Sequence, residues 1–291
     1  MSIKKNVKHI TYEVIVVDNN SADGSAEMVK SKFPDIKLIS NEANLGFAKA
    51  NNQAYILSRG RYLLLLNPDT IVLPDSLELM VNFLDSHLDA GAVTCKFLFP
   101  DRSFQRYYNR FPTIMTAIFK WTLLARFFPN SKFIRRYTYS LHDDKFDEVR
   151  TVDQPAAACL MVRKEVIEKI GFMDEEFPIL FNDVDLCRRI WGAGYKIYIQ
   201  PLAQIIHYKG QGLKQEKSLS VEFYLGLFNY FRKHHRWHTV HLLKFIFYGD
   251  LLLRSVLFLL AVLLGKKESR DLAAEINKLV KVLLNRRVVI Y

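Results

Sequence analysis

Cysteine is scarce in this chain: there are three, Cys95, Cys159 and Cys187, in 291 residues, and no two form a C-x-x-C pair. That usage argues against a disulfide framework or a zinc site and suits a reducing compartment. Internal repeats and low-complexity tracts are also missing. Lys4, Lys5 and Lys8 are not followed by a long apolar segment, so no leader peptide is expected. The longest apolar stretch, Leu242 to Leu264, is interrupted by Lys244, Asp250 and Arg254, and charges in mid-helix cost about 2.5–3.5 kcal/mol each on insertion scales. No recognition helix or RNA-binding motif accompanies the positive charge, so nucleic acid is not an expected partner.

What is present is a large apolar fraction, half of all residues, enough to bury a substantial core. The net charge of +11 is unevenly spread. Residues 209–291 carry 15 Lys/Arg against 6 Asp/Glu, and residues 101–145 carry 9 against 3. Basic, apolar and aromatic residues interleave in both, as in Phe231-Arg-Lys-His-His-Arg-Trp-His238. The rest of the chain is mildly acidic.

Within that acidic body, Leu63 to Leu66 run straight into Asn67-Pro-Asp-Thr70. Four apolar residues without polar alternation suit a strand buried on both faces. Pro68 takes the chain out of the sheet and leaves Asp69 at the strand end, the edge where open α/β sheets bind ligands. A turn aspartate would explain Asp69 alone. However, Tyr12 to Val17 is a second short β-branched run that also ends in a carboxylate, Asp18. The turn-forming Asn19-Asn-Ser-Ala-Asp-Gly-Ser25 follows, then a helix to Lys32, a strand over 36–40, Asn44-Leu-Gly-Phe47 and a helix from about Ala48 to Ser58. Strand alternating with helix predicts crossover units and a parallel sheet.

A second constellation lies far downstream. A strand over 157–162 and a helix from Arg163 to Ile170 precede Phe181-Asn-Asp-Val-Asp-Leu186, where Asn182 is a natural N-cap and Asp183 and Asp185 occupy a first helical turn. Helix-dipole preference accounts for most such acid pairs. The strand pair 196–199 and 204–206 then closes on His207, with Lys209 and Gly210 next, a grouping able to complete a metal or phosphate site.

These ordered blocks resemble the inverting family 2 glycosyltransferases of the nucleotide-diphospho-sugar transferase (GT-A) fold, in particular rhamnosyltransferase-like members that build bacterial surface polysaccharides. The resemblance runs from about Tyr12 to Gly212. It implies that Asp18 contacts the nucleotide base, and that Asn20, Asn44, Gly46, Asn51 and Asn67 help to bind the donor. By the same likeness Asp69 is the last acid of an Asp-X-Asp metal motif, with Asn67 at its first position, and His207 is a later metal or diphosphate contact. Asp183 corresponds to the catalytic base, while Asp185, Arg188 and Lys209 are candidates for acceptor or secondary roles. Mg²⁺ or Mn²⁺ is the implied cofactor. A nucleotide-diphosphate sugar is the implied donor, and a polyprenyl-diphosphate-linked saccharide or polysaccharide the implied acceptor.

The chain departs from the family pattern at Asn182, where Glu is usual, at Ala157, where Gly is common, and after His207. A first strand and most of a first helix are expected to be missing before Tyr12. The predicted architecture is therefore α/β, a GT-A fold with a mostly parallel central sheet over residues 1–212, truncated at its start. Residues 213–291 are expected to form a helical, basic and apolar appendage that associates with an anionic membrane surface. The helix around 242–264 is expected to lie in the headgroup layer at the cytoplasmic face, with a spanning helix and a packed helical pair as alternatives. An inactive or regulatory relative of the enzyme is the competing function.

Overall fold

The computed structural model describes residues 2–140, 146–177, 179–208, 219–265, 267 and 269–285. The chain divides into two compact units: residues 1–111 with 144–212, and residues 112–143 with 213–291. The second unit thus joins an internal segment to the C-terminal region.

Unit 1 begins with α1 (Ser2–Asn6), β1 (Ile15–Asp18), α2 (Ser25–Lys32), β2 (Lys37–Ser40) and α3 (Phe47–Leu57). Then come β3 (Tyr62–Leu66), β4 (Thr70–Val72), α4 (Ser76–Ser86), β5 (Ala90–Leu98) and β6 (Tyr108–Asn109). Unit 2 opens with α5 (Ile114–Trp121), α6 (Leu124–Phe127) and α7 (Lys132–Tyr137). Unit 1 resumes with β7 (Arg150–Thr151), β8 (Gln154–Pro155), β9 (Cys159–Arg163), α8 (Lys164–Ile170), α9 (Asn182–Gly192) and β10 (Lys196–His207). Unit 2 closes with α10 (Leu219–His234), α11 (Trp237–Leu263) and α12 (Ser269–Leu283).

The central sheet has six strands in the order β3-β9-β5-β10-β4, with β7 also paired to β10. It is mixed, whereas the strand–helix alternation predicted mostly parallel pairing. β9 runs antiparallel between β3 and β5, β4 runs antiparallel to β10, and β5–β10 is the parallel ladder of this sheet. β1 and β2 pair in parallel as a separate two-stranded sheet. Residues 2–14 contribute a helix and no strand. The two expected strands near 196 and 206 are one strand. Its register against β5 slips between Gln200 and Gln204, where Pro201 has no N–H to donate.

β3 is an edge strand with one face buried through Leu63 and Leu65, not a central strand covered on both faces. β5 is buried almost throughout. Its Gly91 permits a close approach: a Cβ there would lie 2.7 Å from Tyr195 Cβ. Arg163, at the end of β9, donates to the carbonyls of Ala90 (2.7 Å), His87 (3.0 Å) and Leu84, tying β9 to the turn between α4 and β5. Cys95, Cys159 and Cys187 are buried free thiols.

In unit 2, α11 buries Val240, Leu243, Phe247, Asp250, Arg254 and Ala261, a three-to-four-residue spacing that marks one face. Asp250 and Arg254 therefore point inward and pair at 2.8 Å. The remaining surface of the helix exposes Phe245, Leu252, Leu253, Val256, Leu259 and Leu263, among other apolar residues.

Candidate active site

Strand pairing brings Asp69 and His207 together. β10 ends at His207, which lies opposite Thr70 in the antiparallel ladder with β4, and Tyr208 N–H donates to the Asp69 carbonyl at 3.0 Å. Asp69 Oδ1 then sits 3.4 Å from His207 Nε2, with both side chains largely buried.

Gln105, which sequence reasoning missed, sets the state of that imidazole. Its Nε2 donates to the His207 carbonyl (3.2 Å), so its Oε1 must be the atom facing His207 Nδ1 at 2.8 Å. An amide oxygen only accepts, hence Nδ1 carries the hydrogen. In the neutral ring Nε2 then presents a lone pair toward a carboxylate. Two acceptors at this separation call for a cation or a proton between them. A carboxylate and an imidazole nitrogen suit Mn²⁺ and, through the carboxylate, Mg²⁺, so the residues fit a divalent ion. Among the described residues no three His, Cys, Asp or Glu side chains form a cluster. The rest of such a coordination sphere would come from substrate phosphates or water.

The loop 156–158 links this pair to the second constellation. Ala158 O accepts from Asn67 N–H (3.0 Å), Ala157 N–H donates to Asp183 Oδ2 (3.4 Å), and Ala156 N–H donates to Tyr107 O (3.1 Å). Three consecutive residues thus tie together the Asn67 turn, the start of α9 and the residue just before β6. Tyr107 was not singled out from sequence. Its ring meets His207 edge-on at 5.0 Å, and burial, then the charges of Asp69 and Asp183, push its phenol pKa up. Its hydroxyl is thus sensitive to both carboxylates. Burial also lifts the Asp183 carboxyl above its ordinary range, against the opposing pull of the Val184 and Ala157 N–H groups. A raised pKa makes Asp183 a stronger base than an exposed aspartate.

Other expected site residues fall in different places. Asp185 is fully buried and pairs with Arg189 Nε at 2.8 Å, while Arg189 binds the Ile170, Gly171 and Phe172 carbonyls. That makes Asp185 an internal anchor, not a group presented to an acceptor. Asn182 does not cap α9: Phe181 occupies the capping position in a left-handed conformation (φ 68°), and Asn182 Nδ2 donates back to Ile179 O at 2.9 Å. Arg188 lies over the Phe111 ring, 5.1 Å from its centroid. Lys209 lies outside the described residues.

The residues expected to bind donor lie around the turn after β1 and the loop that leads into α3. Asp18 Oδ2 accepts from Ser21 N–H (3.1 Å), closing a turn in which Asn20 is left-handed (φ 62°). Asn19 Nδ2 reaches Gly46 O at 3.2 Å, and Asn44 Oδ1 accepts from Gly46 N–H at 3.0 Å. Gly46 itself has φ 82°, a value side chains rarely adopt, and precedes α3. Asn51 Nδ2 donates within α3 to Phe47 O at 2.8 Å. Asn41 and Gln53, not expected from sequence, exchange two amide bonds of 2.9 Å between the end of β2 and α3.

Residues 2–171, more than half of the chain, match the family model described as Glycosyl transferase family 2. The chain belongs to this glycosyltransferase family. An N-acetylglucosaminyl-diphospho-decaprenol L-rhamnosyltransferase of Mycobacterium tuberculosis is 25% identical over 67% of the chain and 66% of that protein. The chain thus spans just under two thirds of that relative. The rhamnosyltransferase WbbL of Escherichia coli is 25% identical over 81% of the chain and 82% of its own length. In fold the chain is similar to the mannosyltransferase PcManGT from Pyrobaculum calidifontis, whose structure contains GDP-Man and Mn²⁺. Here the TM-score is 0.54 at 17% identity, covering 94% of the chain and 78% of that structure. GalNAc-T7, solved with UDP, GalNAc and Mn²⁺, also gives 0.54 at 15% identity, over 78% of the chain and 43% of that structure. The family 2 chain therefore has the GT-A fold, a mixed α/β domain around a central sheet.

Proposed function

We propose that this glycosyltransferase moves a sugar, rhamnose being the first candidate, from a nucleotide diphosphate to a polyprenyl-diphosphate-linked or polysaccharide acceptor with inversion. The carrying observation is the Asp69–His207 pair with Nδ1 committed to Gln105, connected through residues 156–158 to a half-buried Asp183. The relatives' own activities toward a diphospho-decaprenol acceptor and as rhamnosyltransferases support the substrate classes.

In this reading Asp18, Asn20, Asn44, Gly46, Asn51 and Asn67 bind and orient the donor. Asp69 and His207 would hold Mg²⁺ or Mn²⁺, which would offset the charge of the departing diphosphate. Asp183 accepts the proton of the acceptor hydroxyl. The acceptor's oxygen then bonds to the anomeric carbon as the carbon–diphosphate bond breaks on the opposite face. Carboxylate basicity raised by burial favours that proton transfer near neutral pH. Incubation with nucleotide-linked L-rhamnose, a polyprenyl-diphosphate N-acetylglucosamine acceptor and Mn²⁺ is expected to yield a disaccharide lipid of inverted anomeric configuration. Loss of sugar only to water, or no donor turnover with any nucleotide sugar, would overturn the reading.

The membrane assignment rests on α11. Among the described residues this helix alone is long and apolar enough to cross a membrane. Its Asp250–Arg254 pair faces inward, so of the three charges anticipated from sequence only Lys244, which is half-buried, remains toward the outer surface. A spanning arrangement would nonetheless draw in α12, which packs along it and carries Arg270, Asp271, Glu275, Lys278 and Lys281. An interfacial position at the cytoplasmic face avoids this. There the exposed leucines and Phe245 meet acyl chains, while Arg232, Lys233, Arg236 and Lys267 meet anionic headgroups.

A further inference from the structure

Unit 2 contains two open clefts to which both α11 and α12 contribute residues. The first, ≈360 Å³, is lined by Lys120, Arg126, Arg254 and Glu275, with Trp121 and Phe223 as aromatic walls. The second, ≈440 Å³, is nearly all apolar and is lined by Ser255, Leu259, Ala273, Ile276 and Val280. Arg254 and Ser255 are consecutive on α11, as are Glu275 and Ile276 on α12, so adjoining residues of the same two helices contribute to both.

The first cleft, apolar in most of its lining, has one more cation than its carboxylates neutralise. Arg254 pairs with Asp250 at 2.8 Å and also with Glu275, which in turn binds Arg126 at 2.9 Å. Asp250 is further occupied by the Leu123 N–H at 2.7 Å. That network is closed around two acids and two arginines. Lys120 is the surplus charge: it lies 4.6 Å from the Tyr137 ring centroid, and no carboxylate among the described residues pairs with it. Burial disfavours its charged form and lowers its pKa.

We propose that unit 2 binds one long-chain lipid phosphate, with the phosphate seated at Lys120 and Arg126 and the hydrocarbon lying in the α11–α12 groove. A phosphate monoester carries about −1.5 to −2 charges at neutral pH and accepts several hydrogen bonds, which suits an unpaired lysine beside an arginine fork. An isoprenoid or acyl chain suits a groove whose polar lining is limited to Ser255 and Asn277. The inference rests on the proposed function's reading that the protein meets phosphorylated lipid, while the sugar-transfer residues take no part in it.

The test uses the full chain with farnesyl phosphate, farnesol, inorganic phosphate and anionic phospholipid vesicles as separate probes. Farnesyl phosphate is expected to bind at least about tenfold more tightly than inorganic phosphate or farnesol, because it alone fills both cavities. Lys120→Met keeps the buried stem, removes an unpaired charge and is expected to fold with an equal or higher Tm. It should weaken farnesyl phosphate at least about tenfold while leaving farnesol unchanged. Ala273→Phe, which fills the groove, should weaken farnesyl phosphate and farnesol alike. Equal affinity of wild type and folded Lys120→Met for farnesyl phosphate overturns the phosphate seat. Parity of inorganic phosphate with farnesyl phosphate overturns the groove. Vesicle binding separates the two readings: farnesyl phosphate bound without vesicle attachment supports the lipid site and refutes the peripheral-membrane assignment.

Discussion

Gln105 holds His207 at two points, its Oε1 against Nδ1 at 2.8 Å and its Nε2 on the backbone carbonyl at 3.2 Å. This double contact commits the ring's Nε2 to Asp69, 102 residues of sequence separating Gln105 from the histidine it orients. Partners of this kind tune metal affinity by roughly 10–100-fold. Gln105→Leu is therefore expected to weaken Mn²⁺-supported donor binding by about that factor. Gln105→Glu, which still accepts from Nδ1–H, should recover much of it. Titrating Mn²⁺ against donor binding checks both, and an unchanged Mn²⁺ midpoint in Gln105→Leu would remove Gln105 from the site.

Asp183→Asn is expected to leave donor binding near wild type and to lower transfer by about 10²–10⁴. Binding and single-turnover transfer measured side by side decide it. In the wild type, transfer should rise as pH climbs through the elevated Asp183 pKa, since the base works ionised.

The same burial gives a stability signature. A carboxyl with its folded pKa above its unfolded pKa favours the folded state at low pH, and that contribution disappears as pH rises through the folded value. Asp183→Asn mimics the protonated form. Its Tm should exceed wild type at neutral pH, with the gain shrinking to nothing as pH falls to the unfolded pKa.

Arg163→Ala is expected to destabilise unit 1 by about 3 kcal/mol, because it strips hydrogen bonds from the buried carbonyls of Ala90, Leu84 and His87. Denaturant unfolding followed by a probe in unit 1 measures the loss. Activity at low temperature should persist, since Arg163 touches none of the site groups described.

On α11, Leu252 and Leu263 are 68% and 81% exposed, so charging them leaves packing intact. The double variant Leu252→Glu/Leu263→Glu is expected to reduce anionic-vesicle attachment more than tenfold at an unchanged Tm. Wild-type attachment should weaken as salt rises, since surface attraction decays over a Debye length of about 8–10 Å. Sedimentation with vesicles at low and high salt reads both effects.

Local chemistry made some of this protein legible from sequence alone. Short apolar runs punctuated by turn residues located β1, β2, β3 and β9, and the stops at Gly171 and around 192–194 located α8 and α9. The same pattern put Asp18 and Asp69 at the ends of strands. Asp250 and Arg254, four residues apart, were also visible as a pair. These features depend on backbone preference and on neighbours within a turn or two.

The tertiary structure decided what depends on strand order and side-chain direction. β9 inserts antiparallel between β3 and β5, a choice that strand–helix alternation does not encode. Asp183 and Asp185 share one helical turn, yet a two-residue offset turns one toward Ala157 and the other into the core against Arg189. Gln105 and Tyr107 reach His207 because the chain returns past β5 to the sheet edge where β10 ends, a contact across about a hundred residues that leaves no local mark. The burial of Asp250 and Arg254 was equally hidden. Hydropathy records that a helix carries charges, whereas the helices packed against it determine which face they occupy.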